Sequence, residues 1–200
     1  MQSSIAASLL LASGIALAAC GESGRRGAEP ARDTTAGRDS PAAGAADSGV
    51  TAAMRDSSGK ELGTLTLTDA GQGIRITGRL SGLPPGEHAI HLHTTGRCDP
   101  PKFESAGDHW NPTNRQHGTQ NPQGPHLGDL PNFTVGQDGS ATIDATTPGG
   151  SLRGSNALLD SDGAAVVVHA KRDDYKSQPA VNAGERIACG IVSQAGSPSS

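Results

Sequence analysis

The sequence predicts an all-β protein, built as a sandwich or barrel of antiparallel strands. Its large apolar residues are mostly Val, Ile and Leu, and they fall into short runs without the periodicity of an amphipathic helix. Turn-forming pairs that contain Gly separate these runs. Polar and apolar residues alternate in Leu65-Thr66-Leu67 and Ile74-Arg75-Ile76, as in strands that face water on one side. Composition alone does not choose between a sandwich and a barrel.

Six apolar runs predict strands, and each is bounded by turn chemistry. In chain order the runs are Leu62–Leu67, Ile74–Leu80, Ala89–His93, Ala141–Ile143, Ala164–His169 and Ile187–Val192. The turn pairs are Ser58-Gly59, Ala70-Gly71, Pro85-Gly86, Asp138-Gly139 and Asp162-Gly163. Gly and Asp favour tight turns because they tolerate backbone conformations that other residues avoid. We therefore expect one folded domain at residues 49–195, which is long enough to bury a single core.

The two ends of the chain differ in composition from this domain. Residues 1–19 contain an apolar, small-residue run that ends directly before Cys20, and the run is too short and too rich in Ala, Ser and Gly for a convincing transmembrane helix. It resembles a bacterial lipoprotein signal, which is cleaved before a cysteine that becomes acylated. This predicts a lipid-anchored protein of the bacterial cell envelope, facing the periplasm or the exterior. The composition of residues 20–48 predicts a flexible tether, and that of residues 196–200 predicts a disordered tail.

All seven histidines lie within residues 86–190, and six of them form two groups. His91 and His93 are two residues apart in a predicted strand, so they share a face and can bind one ion together with the distant His169. The second group offers three imidazoles and a carboxylate, a set that fits closed tetrahedral zinc. It consists of His109, His117, His126 and Asp129. Because imidazole suits copper and zinc, the sequence predicts two neighbouring metals.

The surroundings of the second group also favour metal ligation. His117 and His126 lie in the segment Gly107–Pro131, which is dense in Gly, Pro and Asn. A long loop of this composition needs a metal to fix its conformation. A single histidine is more often an ordinary polar or surface residue than a ligand. The clustering of all seven histidines in one part of the chain reverses that preference.

At these residues the sequence resembles the Cu/Zn superoxide dismutases, and specifically their exported bacterial branch. The matching segments are Gly86–His93, Gly107–Pro112, Gln116–Gly118, Pro125–Asp129, Val168-His169 and Gly184–Gly190. The resemblance implies an eight-stranded antiparallel Greek-key β-barrel or sandwich with long metal-binding loops. It also implies one copper and one zinc per subunit, and conversion of superoxide to oxygen and hydrogen peroxide by a one-electron copper cycle.

The resemblance assigns the metal ligands residue by residue. Copper would be bound by His91, His93, His109 and His169. Zinc would be bound by His109, His117, His126 and Asp129. His109 would therefore bridge the two metals, and in the family mechanism it takes up a proton when it leaves reduced copper. His88 matches a family histidine that is not a ligand.

Three basic residues are implied to guide the anionic substrate. Arg186 would dock superoxide beside the copper, a role that suits a planar and permanently charged guanidinium. Lys171 matches a family lysine in the loop that steers superoxide, and Lys176 is a further candidate. The alternative for each of the three is an ordinary surface charge.

Two cysteines and one acidic residue complete the implied site. Cys98 and Cys189 would form the family's intrachain disulfide, whereas in a reducing cytosol they would be two unpaired buried thiols. Asp173 matches a carboxylate that accepts hydrogen bonds from one copper histidine and one zinc histidine, here His91 and His117. Its alternative is a solvated acidic turn.

Other function classes are less compatible with the sequence. A catalytically weak copper- and zinc-binding envelope protein is the nearest alternative, but every ligand position is filled. A zinc hydrolase would need an open zinc position, and the HExxH motif is absent. Nucleic acid is not an expected partner, because the net charge is −4 and only 2% of the residues are aromatic. The sequence leaves both a monomer and a homodimer open.

Overall fold

The computed structural model describes residues 50–178 and 182–194, and their regular structure is almost entirely β. The strands are β1 (Val50–Asp56), β2 (Glu61–Ala70), β3 (Gly73–Ser81), β4 (Gly86–His88), β5 (Ile90–His93), β6 (Phe133–Val135), β7 (Ser140–Thr146), β8 (Ala165–His169) and β9 (Arg186–Gln194). A single turn of 3₁₀-helix spans Glu104–Ala106. No helix in the described part of the chain is long and apolar enough to cross a membrane.

In the described residues the strands form one seven-stranded antiparallel sheet and one two-stranded ladder. The order in the large sheet is β5-β8-β9-β1-β2-β3-β7, and β4 pairs with β6. Only Ala89 separates β4 from β5, and at that residue the partner changes from β6 to β8. Because β4 continues into β5 and β6 turns directly into β7, the ladder connects the two edges of the large sheet. With β4 and β5 taken as one strand, the described residues contain the eight strands that were expected.

Alternate residues of the strands build the core. In β1 the buried residues are Val50, Ala52 and Met54, and their neighbours in the strand are more exposed. β1 is not among the predicted strands, since its inward-facing residues are not a run of Val, Ile and Leu and small or polar residues separate them. β4 and β6 are also missing from the prediction, because three-residue strands leave no periodicity to detect.

β8 is buried on both faces, and this explains its continuous apolar run. Val166 and Val168 belong to the main core. Ala165 and Val167 pack on the outer side, in a second cluster with Phe103 and other residues of the loop that follows β5. The strand that ends in His169 is therefore held rigidly between two apolar layers.

The loop that joins β5 to β6 folds back along the free edge of β5. The backbone N–H of Leu92 donates to the carbonyl of Gly128, and the carbonyl of Leu92 accepts from the N–H of Trp110. A Cβ atom on Gly128 would overlap the Leu92 carbonyl oxygen, so only glycine allows this close approach. These contacts bring two residues of the second predicted group opposite two residues of the first. The bridged pairs are His91 with Asp129 and His93 with His109.

Cys98 and Cys189 form a disulfide, as the family resemblance implies. The bond fastens the loop after β5 to the buried strand β9, and the two residues are 91 positions apart in the chain. Crosslinks that close long loops restrict the unfolded chain most strongly.

We predict that the double variant Cys98→Ser, Cys189→Ser lowers the free energy of unfolding by about 4 to 5 kcal/mol, the loss expected in the chain-entropy model for a loop of this length. Denaturant unfolding of the metal-free variant and the metal-free oxidised protein, compared at equal pH, measures this difference. A loss below about 1 kcal/mol would contradict a structural role for the disulfide.

Candidate metal centre

Four imidazoles meet at the outer face of the sheet, where β5 lies beside β8. His91 and His93 point to the outer face because the alternate residues of β5 face the core. His169 ends β8 at a register shift that follows Val168. The returning loop adds His109, and the ligand atoms of all four residues lie within 4.8 Å of one another.

A second group surrounds the carboxylate of Asp129. Its Oδ1 atom lies 2.9 Å from Nδ1 of His109 and 3.0 Å from Nδ1 of His117. The same oxygen lies 3.3 Å from Nδ1 of His126. Ligand atoms in a tetrahedron with bonds of about 2.0 Å are about 3.3 Å apart, so these spacings fit tetrahedral zinc. Asp129 Oδ2 is already occupied, because it accepts hydrogen bonds from the N–H groups of Gly118 and His126.

Buried imidazole nitrogens without partners test whether metals fit here. Among the described residues, five buried side-chain nitrogen atoms lack a hydrogen-bond partner, and all belong to the two groups. They are His91 Nδ1, His93 Nε2, His117 Nδ1, His126 Nδ1 and His169 Nε2. Each such atom costs about 1 to 3 kcal/mol if nothing binds it. Five together are explained by two metal ions that accept their lone pairs.

The opposite ring nitrogens fix the tautomers that ligation requires. His93 Nδ1 lies 2.9 Å from the carbonyl oxygen of Gly107, and His169 Nδ1 lies 3.3 Å from that of Gly184. A carbonyl oxygen can only accept, so these nitrogens carry the proton and donate it. The lone pairs of Nε2 are therefore free to point into the first group.

The carboxylate of Asp173 connects the two groups. Its Oδ2 accepts a hydrogen bond from His91 Nε2 at 3.0 Å, and its Oδ1 accepts one from His117 Nε2 at 2.9 Å. Burial acts to raise the pKa of Asp173, but hydrogen bonds from His117 and His91 hold it well below its usual value. A carboxylate that stays ionised while 2% exposed orients both rings, in the position that the resemblance implies.

Electrostatics differ between the two groups. Burial lowers the pKa of His93 well below its usual value, and burial together with His91 lowers the pKa values of His109 and His169 to about 3. These imidazoles are neutral at pH 7, which is the form that binds metal. Burial also acts to lower the pKa of His117, but nearby carboxylates outweigh it and raise that pKa to about 9. The carboxylates around His117 therefore favour positive charge at this position.

Arg186 lies beside the first group and is held by backbone carbonyls. Its Nη1 donates to the carbonyl of Phe103 and its Nη2 to that of Gly107, both at 2.8 Å. The Gly107 carbonyl also accepts from His93, so the guanidinium and this imidazole share one acceptor. Phe103 adopts a φ of 55°, which is uncommon for a bulky residue. The sequence indicates Arg186 but gives no signal for the carbonyls that hold it.

Comparison with known proteins agrees with this geometry. The family model for copper/zinc superoxide dismutase (SODC) matches residues 61–192. The chain belongs to the copper/zinc superoxide dismutase family. Superoxide dismutase [Cu-Zn] 1 of Aquifex aeolicus (strain VF5) is 44% identical over 137 residues, which cover 67% of this chain and 81% of that protein. The predicted family membership is confirmed.

Two solved structures share the fold. A SOD-like protein from Bacillus subtilis matches with a TM-score of 0.68 and 38% identity, over 71% of this chain and 97% of that one. The Cu/Zn superoxide dismutase from Brucella abortus matches with a TM-score of 0.59 and 28% identity, over 72% of this chain and 99% of that one. These neighbours and the strand order confirm the predicted eight-stranded antiparallel Greek-key fold.

The structure brings together every residue that the resemblance assigns to the two metals of this family. His88 lies outside both groups, with Nδ1 2.8 Å from the carbonyl oxygen of His169 and Nε2 2.9 Å from that of Pro84. Lys171 and Lys176 are exposed. Which ion each group binds, and the role of Arg186, stay predictions.

The predictions for the two ends of the chain are not tested by the structure. Cys20, residues 1–19 and 20–48, and residues 196–200 lie outside the described residues. The domain boundaries at residues 49 and 195 also stay predictions.

We predict that Asp129→Asn lowers zinc affinity more than about tenfold and lowers the melting temperature, with a smaller effect on turnover per bound copper. The amide oxygen can still accept the hydrogen bonds from Gly118 and His126, and the NH2 group then takes the place of Oδ1, so the substitution removes the ligand oxygen. Competition with a chromophoric chelator and thermal melts with and without zinc provide the measurement. Unchanged zinc affinity would rule out Asp129 as a ligand.

Proposed function

We propose that this protein is a copper/zinc superoxide dismutase that converts two superoxide anions and two protons into oxygen and hydrogen peroxide. The convergence of three unpartnered imidazole nitrogens in the first group supports this most directly. All four positions that the family uses for copper hold histidine in this chain, and His109 belongs to both groups. A site that only stored a metal would not need this linkage.

Copper held by His91, His93, His109 and His169 would supply the one-electron chemistry, oxidising one superoxide to oxygen and reducing the next to peroxide. His109 contributes the proton chemistry. Its Nδ1 belongs to the zinc group, so Nε2 is the ring atom that can take up a proton and deliver it to the reduced substrate. As ligands of one zinc ion, His109 and Asp129 would be held together, which would keep the ring in place during that transfer.

Arg186 would bind the substrate anion. A guanidinium has five N–H donors, and the carbonyls of Phe103 and Gly107 engage only part of this set. The remaining donors can reach a small anion, and the two backbone contacts hold the cation still. Burial is the main cause of the low pKa values of His93 and His169, and the charge of Arg186 lowers both further, so this cation also attracts an anion toward these residues.

The zinc group would have a structural role. It offers four protein ligands, which fill a tetrahedral ion and leave no open position for a water nucleophile. This closed set argues against a zinc hydrolase. Zinc would fix the loop that carries His109, and it would satisfy the carboxylate of Asp129.

A weakly catalytic copper- and zinc-binding protein is the second candidate. It is raised by the Bacillus subtilis neighbour, which is described only as SOD-like. Inhibition of superoxide-dependent dye reduction separates the two functions. We expect the fully metallated protein to inhibit strongly and the same protein to lose this activity when copper alone is removed. Equal, weak inhibition in both states would favour the binding protein.

We also propose that the protein is exported and anchored to the cell envelope through lipid on Cys20. The small-residue segment before Cys20 supports this, as does the Cys98–Cys189 disulfide, a bond that persists in oxidising compartments. We predict that cells fed labelled palmitate label the wild-type protein and not the Cys20→Ser variant, which should leave the membrane fraction. Equal labelling of both would contradict the anchor.

We predict that His169→Ala abolishes dismutation and copper binding while the zinc content and the fold are kept. The reason is that His169 belongs to the first group and not to the second, and its side chain is not part of the apolar core. Metal analysis, circular dichroism and activity per protein measure the three effects. Near wild-type activity at full copper occupancy would exclude His169 from the copper site.

We predict that Arg186→Ala lowers the second-order rate constant and that Arg186→Glu lowers it further, by about tenfold or more, because reversal adds repulsion to the loss of attraction. The metal content should not change. Pulse radiolysis of the metallated proteins across a salt series measures this, and the wild-type rate should fall as salt screens the charge over about 10 Å at 0.1 M. Equal rates for all three proteins would remove Arg186 from substrate binding.

A further inference from the structure

The orientation of Asp173 depends on a loop that has little strand pairing of its own. The first residues after β8 are tied to the scaffold, since the N–H of Lys171 donates to Ala183 and its carbonyl accepts from Ala89. In the described residues, the N–H and the carbonyl of Asp173 itself make no backbone hydrogen bond. Both are instead bound by one side chain, that of Asn132.

Asn132 binds the backbone of Asp173 in two directions. Its Oδ1 accepts from the Asp173 N–H at 2.8 Å, and its Nδ2 donates to the Asp173 carbonyl at 2.9 Å. Only a primary amide offers an acceptor and a donor side by side in this way. Aspartate at position 132 could make the first contact but not the second.

The backbone of Asn132 is itself fixed by its neighbours in the chain and by a hydrogen bond. It directly precedes β6, so the ladder with β4 sets its backbone position. It also follows Asp129 by three residues, which places it where the loop that joins β5 to β6, here named the zinc loop, rejoins the barrel. Its N–H donates to the hydroxyl of Tyr175 at 2.7 Å.

Tyr175 completes this set of hydrogen bonds. Its N–H donates to Asp173 Oδ1 at 2.8 Å, and its carbonyl accepts from the N–H of Gln120 in the zinc loop at 3.1 Å. It adopts a φ of 64°, an uncommon conformation for a tyrosine. Asn132, Asp173 and Tyr175 therefore form a closed ring of hydrogen bonds that joins the zinc loop, the barrel and the loop after β8.

We propose that Asn132 is a positioning residue that holds the Asp173 carboxylate between the copper ligand His91 and the zinc ligand His117, with the Tyr175 hydroxyl holding Asn132 in turn. The inference rests on the metal assignments of the proposed function. It follows that displacement of Asn132 changes both metal sites, although Asn132 touches neither group of ligands.

The test compares four variants of the full-length, copper- and zinc-loaded protein. Asn132→Ala removes both contacts, Asn132→Asp replaces the donor by a carboxylate oxygen that faces the Asp173 carbonyl, and Tyr175→Phe removes only the hydroxyl. The matched control is Asn111→Ala. The Asn111 amide makes the same pair of contacts with the N–H and carbonyl of Arg115, on an exposed part of the zinc loop.

We expect Asn132→Ala to weaken zinc binding about tenfold, in the range seen when outer partners of metal ligands are removed, and to change the Cu(II) electron paramagnetic resonance spectrum. Asn132→Asp should change both readouts at least as much, because its carboxylate repels the Asp173 carbonyl, and Tyr175→Phe should change them in the same direction by a smaller amount. Asn111→Ala should leave both readouts as in the wild type.

The proposal is overturned if Asn132→Ala lowers the melting temperature but leaves zinc affinity and the copper spectrum equal to those of the Asn111→Ala control. If Asn132→Ala does not fold, Tyr175→Phe provides the test, because it leaves the Asn132 side chain intact. Unchanged zinc affinity and an unchanged copper spectrum in Tyr175→Phe would also overturn the proposal. Failure of the proposed function has a different signature. The wild-type protein would then bind both metals without dismutating superoxide, and the positioning effect would still be measurable.

Discussion

Six imidazoles and one carboxylate converge on two points in a buried volume, and the surrounding structure is arranged around this constraint. Imidazole nitrogens without partners are unstable in an apolar environment unless a cation accepts their lone pairs. Each ring must also be turned so that its protonated nitrogen points away. Carbonyls of Gly107 and Gly184 perform this task for His93 and His169, and the Asp173 carboxylate performs it for the two rings that it connects.

The scaffold supplies rigidity at the places where the site needs it. β8, which ends in His169, lies between two apolar layers, and the disulfide fastens the outer layer to β9. The same outer loop provides the carbonyls that hold Arg186 and the carbonyl that orients His93, so the positions of both side chains depend on one segment. Asn132 extends this support to the opposite side of the site, where the zinc loop returns to the barrel. The reactive groups are thus held from several directions by elements that are distant in sequence.

Much of the fold and the site could be predicted because the relevant signals are local. Short Val/Ile/Leu runs with intervening turns indicate strands, and His91 and His93 at positions i and i+2 indicate a shared face. β1 was not predicted because its inward residues do not form a Val/Ile/Leu run, and β4 and β6 were not predicted because they are short. The roles of Arg186 and Asp173 came from resemblance to a family, since nothing in their immediate sequence distinguishes them from surface charges.

The sequence by itself determined six of the nine strands in the described part of the chain, the residues able to bind metal and the family to which the chain belongs. These follow from side-chain chemistry and from spacing along the chain. Only the tertiary structure decided how the groups meet: that Gly128 lets the zinc loop lie against β5, that Gly107 serves both His93 and Arg186, and that Asn132 holds the backbone of Asp173. Each of these contacts joins backbone to a residue distant in the chain, and backbone groups are identical in every residue, so the sequence carries no mark of them.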